Sequence, residues 1–179
     1  MFTRTDKRLV MAGFTVRHLF LLMFLACVGL LSAAYYFEYV MFLDPCPLCI
    51  MQRIGVLFLA LIALSGFLQS PSVVKQKIHS VLLFLAAIFG ASVAGRHVWI
   101  QYLPADQVPT CGPSLEYMVE TLPLADVLSI MLKGNGNCAD LQWSFIGLSM
   151  PEWVLAWFVG FAVVSVILFV RANKIPAKI

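Results

Sequence analysis

Four stretches of this chain are apolar over enough residues to cross a lipid bilayer, and no other feature limits the fold so severely. They cover residues 18–37, 50–68, 80–100 and 152–170. Each is about 19–21 residues long, near the roughly 20 that a helix needs to traverse a hydrocarbon core of about 30 Å. Backbone polar groups find no water there, so a spanning segment must be a helix or part of a closed barrel. The runs lack period-two alternation, which excludes the barrel. Composition agrees: 61% of the 179 residues are hydrophobic and 12% charged, where soluble domains are nearer half apolar and a quarter charged. The expectation is a single all-α integral membrane domain over 1–179: an antiparallel four-helix bundle in the lipid bilayer, with no nucleic-acid partner.

The first run resembles a signal peptide superficially, with a basic start and "LSAAYY" near its end. Its apolar core exceeds the 7–15 residues usual for a signal peptide, and cleavage would leave three spans, so it reads as a span. Orientation follows from Lys and Arg. Arg4, Lys7, Arg8 and Arg17 precede the first span, Lys75 and Lys77 separate the second from the third, and Arg171, Lys174 and Lys178 follow the fourth. The other two connections hold only Lys133. Both termini are therefore expected in the cytoplasm, with a short outer connection at 38–49 and a long one at 101–151. Acidic residues, all but Asp6 in or beside those outer connections, show the reverse pattern.

Of five cysteines, Cys46, Cys49, Cys111 and Cys138 fall in the outer connections. Cys27 lies mid-span among Leu and Ala and reads as a small hydrophobe. An even set of thiols on an oxidising face usually means disulfides. A static staple suits Cys111 and Cys138, whose loop closure would constrain the unfolded chain by roughly 3–4 kcal/mol. It suits Cys46 and Cys49 poorly, because a Cys-x-x-Cys ring removes little chain entropy and is the spacing of thiol–disulfide oxidoreductases. Structural zinc sites usually pair two close knuckles. Here the second pair is separated by 26 residues and has no close histidine, so no metal is expected.

"MFLDPCPLCIMQR" sets those thiols against the second span. Pro45 and Pro47 bracket Cys46, and proline is favoured in a first helical turn because the amide it lacks would go unpaired there. The helix should then open near Pro47, with Cys49 in its first turn, where free amides and the positive dipole end favour an anion. Arg53 follows one turn down the same face. Both features favour the thiolate of Cys49, which is the reactive form. The plainer reading of Arg53 is a side chain snorkelling to headgroups or paired with Glu38 or Asp44. An ionisable residue one turn inside the membrane is costly enough to be a functional candidate. Together Cys49 and Arg53 suit a polar, redox-active headgroup at membrane depth.

The third span ends "AGRHVWIQYLP", bringing Arg96 and His97 to the same boundary. A histidine beside an interfacial tryptophan is commonly an anchor; the chemical alternative is proton transfer or a hydrogen bond to a carbonyl. His18 and His79 fall on the inner side and read as interfacial residues. In the long outer loop, Leu115, Met118, Val119 and Leu122, then Leu124, Val127, Leu128 and Met131 after Pro123, repeat a helical spacing. Gly134 to Asn137 supplies a stop. One or two short amphipathic helices are expected, lying on the membrane surface or against the bundle. Trp143, Phe145, Trp153 and Trp157 form an aromatic belt before and within the start of the fourth span.

Taken together, "DPCPLCIMQR", "HVWIQ", "PTCGPSLEYM" and "GNCADLQWSFIGLSMPEW" resemble the DsbB family, the bacterial inner-membrane disulfide bond formation proteins, over nearly the whole chain. The resemblance implies a four-helix bundle that reoxidises a DsbA-type periplasmic thiol oxidase and passes the electrons to the membrane quinone pool, ubiquinone or menaquinone. By position, Cys111 would be attacked by the reduced partner, and Cys138, its disulfide mate, would on release attack Cys46. Cys49 would be the thiolate contacting the quinone ring, Arg53 would stabilise thiolate and quinone, and His97 would line the pocket. A DsbA-type partner is itself strongly oxidising, near about −120 mV, and each 30 mV of mismatch costs about 1.4 kcal/mol for two electrons. That explains the need for a quinone as sink.

Two other classes compete. A carrier moving reducing equivalents outward would need cysteines accessible from the cytoplasm, and the charge pattern places none there. A non-enzymatic four-span protein with structural disulfides would show no redox activity.

Overall fold

The computed structural model describes residues 4–69, 72–104, 106–110, 112 and 115–173, with side-chain surroundings from Val16 onward except at 115, 116, 119 and 173. Six α-helices occur among them: α1 Arg4–Tyr39, α2 Pro47–Leu68, α3 Val73–Gln101, α4 Leu115–Thr121, α5 Leu124–Lys133 and α6 Met150–Asn173. Four carry spans long and apolar enough to cross a membrane: Val16–Tyr39 in α1, all of α2 and α3, and Met150–Ala172 in α6. They form one antiparallel bundle in which α3 packs on α6, α1 on α2 and α2 on α3. Leu22, Leu25, Leu57, Leu61, Leu85, Ile88, Val159 and Val163 point outward and exposed. In water so much uncovered apolar surface would drive association; around a bundle of this length it is the lipid-facing shell of a multi-pass membrane protein.

The helices run past the apolar stretches because caps, not hydropathy, end them. Ser72 caps α3, its hydroxyl accepting from the Lys75 amide at 3.3 Å. In the bundle centre Phe158 of α6 lies against Gly90 of α3 so closely that a Cβ at Gly90 would meet its ring at 2.1–2.5 Å. At the end away from the cysteines, buried polar groups are satisfied across the helices. The Gln76 amide donates to the Leu168 carbonyl at 3.0 Å, and His79 lies 3.1 Å from the Ser65 hydroxyl and 2.7 Å from the Lys75 carbonyl. His79 is thus a packed residue, bonded between helices.

The cysteine-bearing end is built by the long loop. Helices α4 and α5 occupy the two segments with helical spacing, and α5 packs on α2. The spacing is divided between two environments: Met118, Val127 and Met131 are buried against Leu48, Met51 and Ile100, whereas Leu124 and Leu128 are exposed. Arg96 donates to the Lys133 carbonyl at 3.3 Å, covering the end of α5, where unpaired carbonyls favour a cation. A short hairpin, β1 Ser144–Phe145 and β2 Leu148–Ser149, follows. Ile146 and Gly147 both take positive φ at its turn, the primed geometry that matches strand twist. The belt residues form a line across this end, from Phe37 to Trp143 at 5.0 Å, Trp143 to Phe145 at 5.9 Å and Phe145 to Trp153 at 6.2 Å.

Candidate functional site

Helix α2 starts at Pro47, so Cys46 is its N-cap, in extended conformation. The usual cap is an oxygen that accepts from an exposed amide. Here the Cys46 sulfur takes that place, accepting from the Cys49 amide at 3.4 Å. The cap brings the two thiols of the motif together, and Cys46 donates to the Cys49 sulfur at 3.1 Å. Cys49 sits in the first turn, half-buried.

Two further groups converge on Cys46 from distant parts of the chain. His97, near the end of α3 and 3% exposed, places Nε2 at 3.7 Å from the Cys46 sulfur. Its Nδ1 lies 3.1 Å from the side-chain nitrogen of buried Gln52. Gln52 is a site residue that motif reading passed over; the signal available was a polar side chain three positions after Cys49 in an apolar helix. Cys138, fully buried in a 3-10 turn over Gly136–Cys138, is delivered by the chain leaving α5. Gly134 makes that approach at φ 74°, where a Cβ would strike Leu48 and Ile100 at 2.7–2.8 Å. The Cys46 sulfur, the Cys138 sulfur and a His97 ring nitrogen all lie within 4.8 Å of one another.

The proton among these sulfurs is unequally held. The Cys46 thiol is pushed well above its ordinary range, because it donates to Cys138 and to Cys49 and is buried. Cys138 is lowered from 9.0 to about 6, chiefly by that bond from Cys46, with backbone groups of Asn135 and Leu48 assisting against burial. At neutral pH Cys138 is therefore a thiolate aimed at Cys46. Cys111 lies outside the described residues. Its neighbours are placed: the Gly136 amide donates to the Thr110 carbonyl at 3.3 Å, and Gly112 lies against Asn135.

On the side of Cys49 away from that cluster, α1, α2 and α6 part to leave a cleft of about 660 Å³. Leu30, Ala34 and Phe37 of α1, Val56 of α2, and Pro151 and Val154 of α6 make it apolar, while Cys49, Gln52 and Arg53 supply its polar edge. Arg53 turns its guanidinium toward α1. It pairs with Glu38, donates to the Ala34 carbonyl at 3.1 Å and lies 5.3 Å from the Tyr35 ring centre. His97 lines a separate recess of about 330 Å³ with Cys46, Cys49 and Gln101. Cys49 is thus shared by both hollows, Arg53 faces the apolar one and His97 the polar one. Cys27 is wholly buried in the bundle core.

Residues 16–168 match the family described as "Disulfide bond formation protein DsbB". Among curated proteins, "Disulfide bond formation protein B" of Marinobacter nauticus is 47% identical over 88% of this chain and 94% of its own. The protein of the same description from Hahella chejuensis is 45% identical over 91% and 99%. "Disulfide bond formation protein B 1" of Pseudomonas aeruginosa is 44% identical over 87% and 95%. A membrane bundle that gathers thiols from two loops at one end and is similar over nearly its full length to such proteins is a membrane disulfide oxidoreductase: the chain belongs to the DsbB family of disulfide bond formation proteins.

Proposed function

We propose that this protein reoxidises a DsbA-type soluble thiol oxidase on the periplasmic face of the bacterial inner membrane and delivers the electrons to a membrane quinone. The observation that carries the reading is the double placement of the Cys46–Cys49 pair. One sulfur faces Cys138, and the other faces an apolar cleft between α1, α2 and α6. The distribution of Lys and Arg supports cytoplasmic termini and periplasmic cysteines.

The relay needs two thiol–disulfide exchanges, each an attack of a thiolate on a disulfide sulfur. A thiolate of the reduced partner attacks Cys111 of a Cys111–Cys138 disulfide, expelling Cys138 as thiolate. The partner's second thiol then resolves the mixed disulfide, leaving partner disulfide and Cys111 thiol. Cys138 attacks Cys46 of a Cys46–Cys49 disulfide, forming Cys138–Cys46 and releasing Cys49 as thiolate. Cys111 resolves that bond, restoring Cys111–Cys138 and leaving Cys46 and Cys49 reduced. The ties of Thr110 and Gly112 to the turn bearing Cys138 support this pairing, and the nearness of the Cys138 and Cys46 sulfurs supports the role of Cys138 as attacker.

The cleft residues fit a quinone headgroup: Leu30, Phe37 and Val154 would hold its ring, and Gln52 and Arg53 its carbonyl oxygens. When bound, a quinone would supply a two-electron, two-proton acceptor for the Cys46–Cys49 dithiol. Cys49 presents the electron-rich sulfur, Arg53 supplies positive charge at the cleft wall, and Cys46 holds a proton beside it. His97, oriented by Gln52, is placed to exchange that proton with the polar recess. Purified protein should oxidise a reduced thioredoxin-fold dithiol oxidase only with quinone present, and Cys49→Ala should abolish turnover. Full turnover in that variant rejects the reading.

A further inference from the structure

Each disulfide exchange aligns three sulfurs, attacker, target and leaving group, and this site sets a buried imidazole beside all three. Cys46, Cys138 and His97 are all buried and mutually within 4.8 Å, and Cys49 lies 3.1 Å from Cys46. Among these four donors there is no carboxylate; they are three sulfurs and one imidazole. Zinc takes tetrahedral sites of this composition, with bonds of about 2.3 Å to sulfur and about 2.0–2.1 Å to nitrogen, hence tetrahedron edges of roughly 3.5–3.8 Å. The 3.7 Å from Cys46 to His97 is already such an edge. Cys49 stands outside that mutual group, so to complete the tetrahedron its side chain has to turn from the cleft toward Cys138 and His97 while the Cys46–Cys49 distance widens by about 0.7 Å.

We infer that in the fully reduced protein Cys46, Cys138, His97 and Cys49 form a zinc(II) site whose occupation traps the dithiol state and halts turnover. No electrons move in this step. All three sulfurs bind as thiolates, those still protonated releasing their protons to solvent, neutral His97 contributes the lone pair of Nε2, and zinc stays divalent. Gln52 supplies the outer contact that zinc-bound histidines usually have, its amide oxygen turned to accept from Nδ1–H. The site is conditional on redox state. A Cys46–Cys49 disulfide removes two ligands, and a disulfide at Cys138 removes the third sulfur, so the oxidised protein has no zinc site. The ion is therefore an inhibitor of the reduced form and no part of the reaction.

The test is a titration of the full-length protein in detergent with cobalt(II), reduced and anaerobic, followed by displacement with zinc. The reduced protein should take up a single equivalent, with thiolate-to-cobalt charge transfer and the intense visible bands of a tetrahedral site, which zinc then bleaches. The signal should be absent after oxidation and preserved in Cys27→Ala, whose thiol is far away in the core. It should be lost in Cys138→Ala. His97→Ala should weaken binding beyond the about 10–100-fold that loss of an outer contact costs. Turnover started from zinc-loaded reduced protein should be restored by a chelator. Octahedral spectra only, or equal binding after oxidation or in Cys138→Ala, would overturn the site. These spectra require neither quinone nor partner, so their failure leaves the proposed oxidoreductase reaction standing, and failure of that reaction leaves the spectra interpretable.

Discussion

The two sides of this bundle are made from the same kind of residue and behave in opposite ways. At the level of Gly90, α3 admits the Phe158 ring of α6 at contact distance and leaves no room there, although the same seam opens into a groove further along, between Ser80, Phe84, Ser165 and Phe169. Where α1, α2 and α6 meet near the cysteines, the same apolar residue types leave a cleft of about 660 Å³ against Cys49. Hydrophobicity does not distinguish the two, since lipid surrounds both and offers no hydrophobic gain for closing a gap. The difference is steric: one glycine opposite one aromatic closes α3 on α6 at that level, while Glu38 and Arg53, ion-paired across the second seam, stand as a polar spacer at its edge. Closed packing sets stability, and the parted side carries the chemistry.

That division can be broken most directly by filling the cleft. Ala34→Trp should lower quinone-dependent turnover at least about 100-fold, the scale on which misplacement of reacting groups acts, while exchange between partner and loop cysteines continues, followed by trapping of mixed disulfides. The approach of Cys138 is the next lever. Gly134→Ala places a side chain at φ 74° against Leu48 and Ile100, so transfer between the two cysteine pairs should slow about tenfold, as about 1.4 kcal/mol of misplacement would give, in single-turnover measurements. The effect of pH follows from Cys138: with its thiol at about 6, the thiolate fraction falls from about nine-tenths at pH 7 to about one-tenth at pH 5. That depression needs the Cys46 thiol as donor, so the step near 6 belongs to the reduced cluster and should vanish once Cys46 is held in a disulfide. A variant keeping only Cys46 and Cys138 should show a thiolate absorbance step there when reduced; a step near 9 would refute the hydrogen bond from Cys46 to Cys138. On the closed side Gly90→Ala should leave the redox chemistry nearly unchanged and destabilise by about 1–3 kcal/mol, read from thermal unfolding in detergent. A larger loss of turnover from Gly90→Ala than from Ala34→Trp would end the comparison.

Much of this was legible before any coordinates. Long apolar runs separate by hydropathy alone, because the bilayer leaves an exposed backbone no alternative to helix. Pro47 marks the start of α2 for an equally local reason, since a proline there forfeits no hydrogen bond. Spacing also anticipated α4 and α5, but not which face lies inside. Val127 and Met131 meet α2 and Leu124 and Leu128 do not, which depends on how the loop crosses the bundle end. Gln52 escaped notice because its partner, His97, is 45 positions away. Arg53, one turn from Cys49 in the chain, turns instead to Glu38 on a neighbouring helix.

The chain by itself determined that four spans form and that the second opens at Pro47 beside Cys46, because each depends on forces acting within a turn or a bilayer thickness. Only tertiary structure decided that Cys46 would have three neighbours: Cys49 from its own turn, Cys138 from the far end of a long loop and His97 from another helix. Linear spacing argued against a metal site for want of a nearby histidine, and packing supplied one. Bringing donors together is a property of how helices cross, and a pattern read along one strand carries no record of that distance.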